Sequence, residues 1–314
     1  MSKENNKKHT MLKVLGVTAA AGAAAYSGFS YMVFKNAFDL QNSKIYANRN
    51  SYKRLENGCG ERSEWFAHST KDDDFIDSFD GLKLHALRIA NHPQSHKWVL
   101  LAHGIGSYSG SVLDYLYEID SHEYNILAID LRGCGMSEGK YTSLGWNEHY
   151  DLISWINYLV NLDAYAEIAL FGINLGGVAV MNAVGDYIPS NVKCAIEDGG
   201  FSGVKEMVKQ GVRSHYKVEP KAFLPMVDVF VKQCLHFSMF DVSTSHQLSQ
   251  CSIPMLFMHG SKDDLVPISM LFDNYYACNS EKELYTGENG GFSTNHLEPD
   301  YFKTVFNFID KHIK

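Results

Sequence analysis

The residues best placed for chemistry gather on the stretch Phe171-Gly172-Ile173-Asn174-Leu175-Gly176-Gly177. An apolar run enters a turn bracketed by glycines, and small residues follow. A Gly-x-Ser-x-Gly turn between a strand and a helix lifts a serine hydroxyl above a sheet, where a base can activate it. Here Gly172 and Gly176 hold the glycine positions and Asn174 stands at the nucleophile position. An amide nitrogen is delocalised into its carbonyl and forms no acyl-enzyme as a hydroxyl does. The exchange is mild structurally, because the tip residue sits at φ > 0 and Asn tolerates that better than most. The turn is therefore expected to persist without its nucleophilic chemistry. Asn174 then serves as a placeholder or as a polar contact in a binding pocket, and the bulky Leu175 after it argues against a catalytic aspartate formed by deamidation.

Such a turn must be carried by a sheet, and the surrounding pattern supplies one. Continuous apolar runs recur at Trp98–Ala102, Ile126–Ile129, Ile168–Phe171, Cys194–Ile196 and Met255–Met258. Runs of this kind fit strands covered on both faces, as in a parallel sheet. Asp80-Gly81 between two alternating stretches, Phe75–Phe79 and Leu82–Leu87, reads as a hairpin. Residues 147–160 carry a helical stripe of Leu152, Ile156 and Leu159. A last helix over about 299–313 turns Val305, Phe308 and Ile309 inward, with Pro299 in its first turn. Strand–helix alternation implies an α/β fold with a doubly wound, mostly parallel sheet led by an antiparallel edge. Residues 201–250 interrupt the alternation with helical patterns and are expected to form an inserted lid.

Four landmarks in order give this chain, from about residue 60 to 313, a resemblance to the α/β-hydrolase fold. They are Leu101-Ala102-His103-Gly104, Asp130-Leu131-Arg132-Gly133-Cys134-Gly135-Met136-Ser137-Glu138-Gly139, the turn at Asn174, and His259-Gly260-Ser261-Lys262-Asp263-Asp264-Leu265-Val266-Pro267. Within that fold the chain is similar to bacterial membrane-anchored hydrolases of the serine aminopeptidase-like and esterase-like kind. The resemblance implies Asp263 as the acid and the backbone N–H groups of Ile105 and Leu175 as oxyanion donors. These donors survive any side-chain exchange. The family places its histidine directly after the last strand, where this chain has Gly290-Gly291; His296, a few residues later, is the candidate base. The implied ancestral chemistry is acyl transfer to water, without a cofactor, on an ester, amide or peptide.

Alternatives for the missing hydroxyl are weak. Ser107, Ser109 and Ser111 follow His103-Gly104 but read as turn and N-cap residues ahead of the helical run 112–119. Cys134 reads as a buried, inert thiol. Asp198, at the end of a strand, is an alternative acid. The expectation is thus a hydrolase relative whose activity is lost or strongly impaired and whose pocket holds a ligand or partner. The rival is an active hydrolase using His296, Asp263 and a non-standard nucleophile.

The chain opens with a basic head over residues 1–13, followed by 21 positions, 14–34, without a charge. About 20 apolar residues suffice to cross a bilayer. Lysines are denser before the span than after it, which predicts a single-pass anchor with a cytoplasmic N-terminus and an extracytoplasmic main domain. A cleaved signal peptide with Ala23-Ala24-Ala25 at its site is the rival reading, disfavoured by continued hydrophobicity through Phe34. Residues 35–60 read as a linker and 61–314 as the hydrolase-like domain. A net charge of −8 without a concentrated basic block excludes nucleic acid as an expected partner. The six cysteines show no C-x-x-C pair and are expected to be mostly free thiols. The histidines match no zinc-binding spacing, so no metal is expected.

Overall fold

The five continuous apolar runs become inner strands of one sheet in the computed structural model, which describes residues 21–41 and 60–314. The strands are β1 (Lys71–Asp77), β2 (Lys83–Ile89), β3 (Lys97–Ala102), β4 (Asn125–Ile129), β5 (Glu167–Ile173), β6 (Val192–Asp198), β7 (Met255–Gly260) and β8 (Lys282–Gly287). Their order is β1-β2-β4-β3-β5-β6-β7-β8. The first hairpin and the β2–β4 pair are antiparallel, and every later pair is parallel.

The runs are continuous because both faces are covered. Leu100, Ala102, Leu127, Ile129 and Leu170 point into one core, while Val99, Leu101, Ile126, Ala128 and Phe171 point into the other. The first core is closed by α4 (Trp146–Leu162), α5 (Leu175–Ala183) and α9 (Ser269–Ala277), and the second by α2 (Glu61–His68), α3 (Leu113–Ser121) and α10 (Tyr301–His312). Leu152, Ile156 and Leu159 of the expected stripe are fully buried, as are Val305 and Ile309, with Phe308 nearly so. Between β6 and β7 lie α6 (Val204–Gly211), a π-helical turn (Val212–Tyr216), α7 (Leu224–Leu235) and α8 (Thr244–Gln250), with no strand among them.

At the N-terminus the sequence expectation changes. The chain is helical over 21–38 (α1), and among the described residues no helix is long and apolar enough to cross a membrane. Residues 14–20 of the expected span and 42–59 of the expected linker lie outside the described residues. One side of α1 is packed on protein. Phe29 meets the rings of Tyr216 and Phe223, Phe34 meets Tyr141 and Phe230, and the Tyr26 hydroxyl donates to the Ala222 carbonyl at 2.8 Å. Val33, Phe34 and Phe38 are at most 3% exposed. The start of the expected linker is also held: the Thr142 amide donates to the Phe38 carbonyl at 2.9 Å, and the Leu40 amide donates to that of Lys140 at 3.0 Å. Apolarity in the sequence reports that a face will leave water, and here protein covers part of what a bilayer was expected to cover.

Candidate active site

The site is built where β5 runs into α5. Asn174 sits at the tip with φ 48° and ψ −104°, outside the regions L-residues favour. The flanking glycines are dictated by close backbone approach. A Cβ on Gly172 would lie 2.3 Å from the Gly176 carbonyl oxygen, and one on Gly176 would lie 2.1 Å from that of Ala102. A Gly176→Ala substitution should therefore cost at least about 3 kcal/mol in urea unfolding. An unchanged midpoint would show that the turn and β3 are not so tightly apposed.

The Asn174 amide donates to the Asp198 carbonyl at 2.7 Å, and its side-chain Nδ2 donates to the Gly199 carbonyl at 3.1 Å. Its Oδ1 is buried and has no partner among the described residues. The loop after β3 faces the tip, since a Cβ on Gly104 would lie 3.4 Å from the Asn174 Cβ. That loop is fixed by the buried His103, whose Nδ1 donates to the Gly104 carbonyl at 2.8 Å while Nε2 accepts the Leu131 amide at 3.1 Å. Burial holds the His103 pKa below its ordinary value, consistent with a neutral ring that both donates and accepts. The Ile105 and Leu175 N–H groups have no partner among the described residues. Two unused donors therefore flank the tip, as an oxyanion would require.

Asp263 and His296 occupy different surroundings. Asp263 closes its own loop: Oδ1 accepts the Leu265 and Val266 amides at 2.9 and 2.8 Å, and Oδ2 is 3.8 Å from the His259 Nε2. Burial pushes its carboxyl up, against the pull of those amides. His296, in a 3₁₀ turn (Asn295–Leu297), instead has its Nε2 3.6 Å from Oδ2 of Asp114, a carboxylate also bound by Arg62. Its ring lies 5.0 Å from that of Tyr115, and its Nδ1 is buried and unpartnered among the described residues. No ion pair joins His296 to Asp263 among the described residues. Asp198, the alternative acid, is taken up by Asn295 Nδ2 at 2.8 Å and the Tyr301 hydroxyl at 2.7 Å. Asp114 was not among the candidates read from the sequence.

His296 nevertheless borders the site. A cavity of about 210 Å³ is lined by His296, Ser293, Asp114, Tyr115, Ser107, Ser111 and the Gly104–Ile105 loop, with Ile173 beneath the tip. Ser107 and Ser111 bond to each other, and the Ser111 hydroxyl also donates to the Tyr108 carbonyl at 2.7 Å, so both close a turn. Ser109 is buried, with its amide donating to Asp130. Cys134 is buried beside Leu40 and Ile105. Cys134, Cys194, Cys234, Cys251 and Cys278 are free thiols.

Burial is the largest influence on His296 and lowers its pKa, with Asp114 and Asp198 pulling the other way. The unfolded chain then takes up this proton first as pH falls below about 6.5. Stability linked to the neutral ring is present above that pH and declines below it, until the folded ring protonates as well. A His296→Gln variant should show a shallower loss of stability between about pH 6.5 and 5 in thermal melts; an identical slope would place the ring in water.

Comparison with known proteins agrees with this architecture. Residues 93–235 match the Hydrolase_4 family, serine aminopeptidase S33. The uncharacterized protein YqkD of Bacillus subtilis (strain 168) is 27% identical over 238 residues, covering 75% of this chain and 78% of YqkD. The Pyrococcus furiosus esterase Pf2001 superposes with a TM-score of 0.65 at 19% identity, over 82% of this chain and 97% of the esterase. Acetyl xylan esterase 1 from Thermoanaerobacterium sp. JW/SL YS485 gives 0.58 at 15% identity, over 84% and 99%. The chain has the α/β-hydrolase fold.

Proposed function

We propose that this chain is a member of the S33 serine aminopeptidase-like group of α/β hydrolases that has lost, or nearly lost, hydrolysis and keeps its pocket to bind a small ester, amide or peptide-like ligand. The observation that carries this reading is the state of the former triad. Asn174 occupies the tip, and His296, the histidine that lines the cavity among the described residues, lies against Asp114 instead of Asp263. The unpartnered Ile105 and Leu175 amides support retention of a site for a carbonyl or carboxylate oxygen. A fluorophosphonate probe tests the loss of chemistry: the folded full chain should remain unlabelled, and a stoichiometric adduct would overturn it.

A second reading has one observation in its favour. Ser107 and Ser111 line the same cavity as His296, so a serine outside the tip could act as nucleophile in an active esterase- or peptidase-like enzyme. Mapping an adduct to either serine would establish it.

The N-terminal segment, in this proposal, holds the protein at the cell membrane with its N-terminus cytoplasmic and its main domain outside. The support is the uncharged stretch 14–34 and the lysines Lys3, Lys7, Lys8 and Lys13 before it.

A further inference from the structure

The charge of this protein is unevenly placed. In a chain of net charge −8, residues 204–240 carry six Lys or Arg against three Asp or Glu. This basic segment is also the one on which α1 docks. The start of α1 lies over it, with Tyr26 bonded to Ala222 and Phe29 against Tyr216 and Phe223. On the same segment Arg213, Lys217 and Lys221 are all exposed. Arg213 has only an exposed partner, Glu219 at 3.3 Å, while Lys217 and Lys221 have no carboxylate partner among the described residues.

Apolar side chains stand among these cations. Val218 is 37% exposed between Lys217 and Glu219, and along α1 Tyr31 and Met32 are 47% and 41% exposed, with Tyr31 packed on Phe230 beside the exposed Val229. Cations interspersed with exposed apolar groups suit the headgroup region of a bilayer, where the charges meet lipid phosphates and the apolar groups reach the acyl boundary.

We propose that the face formed by the π-helical turn, the start of α7 and the outer side of α1 rests on an anionic lipid bilayer. The inference rests on the membrane reading above for attachment to a bilayer, and adds that residues 26–38, docked on the domain, lie along the bilayer surface with the basic cap facing it. Each cation near an anionic surface favours contact about five-fold, so reversing three should abolish it.

The test uses the full chain with Val218→Trp, reconstituted with phosphatidylcholine–phosphatidylglycerol vesicles brominated high on the acyl chains. The chain should float with the vesicles, and the new tryptophan should be quenched beyond the four native ones. Adding Arg213→Glu, Lys217→Glu and Lys221→Glu should more than halve that extra quenching while flotation persists, and high salt should act likewise. Flotation without extra quenching would overturn the docked face and leave the membrane reading intact. Failure to float with any vesicle would overturn both.

Discussion

An Asn174→Ser variant is expected to fold, to react with neither nitrophenyl esters nor fluorophosphonates above background, and to gain turnover only when Gly291→His is added. The serine alone lacks a base oriented by Asp263, because His296 is engaged with Asp114. Gly291 is the position that can supply one. A Cβ there would lie 3.4 Å from the Thr294 Oγ1 and 3.5 Å from the carbonyl of Lys262, the residue before Asp263, which is ordinary contact. Gly290 is less suited, since its Cβ would lie 3.0 Å from the backbone Cα atoms of both Asn295 and Gly260. A positioned general base contributes about 10²–10⁴-fold, so the double variant should exceed the single one by at least about 10² in kcat/KM. Turnover by Asn174→Ser alone would mean that His296 already serves and only the nucleophile was lost. Turnover by the parent would overturn the non-hydrolytic reading.

The second large effect concerns stability. Phe34 is 1% exposed, between Phe38, Tyr141 and Phe230. Phe34→Ala should cost about 3–5 kcal/mol through lost burial and the cavity left behind. At about 2–4 °C per kcal/mol, the thermal midpoint should fall by roughly 10 °C. Tyr31→Ala, on the exposed side of the same helix, should move it by no more than a degree or two. Equal midpoints for Phe34→Ala and the parent would show that α1 is not docked.

The sheet was legible because its evidence is local: five apolar runs, an Asp-Gly turn and the glycine bracket around Asn174 each report on their own neighbourhood. The glycines at 172 and 176 could be read as a turn, although the reason for them, carbonyl oxygens of the same turn and of β3, is a tertiary contact. The partner of His296 was not legible, since Asp114 lies 182 positions earlier and nothing in its type marks the encounter. The docking of α1 was hidden for a different cause. Phe29, Val33, Phe34 and Phe38 form a stripe that lipid or protein could equally cover, and only the fold determines which.

The contact between Tyr26 and Ala222 joins residues 196 positions apart. Closing so long a loop carries an entropic cost that only the finished partner surface offsets. Helix α1 is made well before the surface it docks on and is therefore among the last elements to find its place, and Val33, Phe34 and Phe38 must stay shielded from aggregation until the segment around 212–230 has been made. A chaperone or a membrane holding that helix during synthesis would serve the folding of the whole domain, so N-terminal truncation should lower the yield of native protein even where the shortened chain retains its pocket.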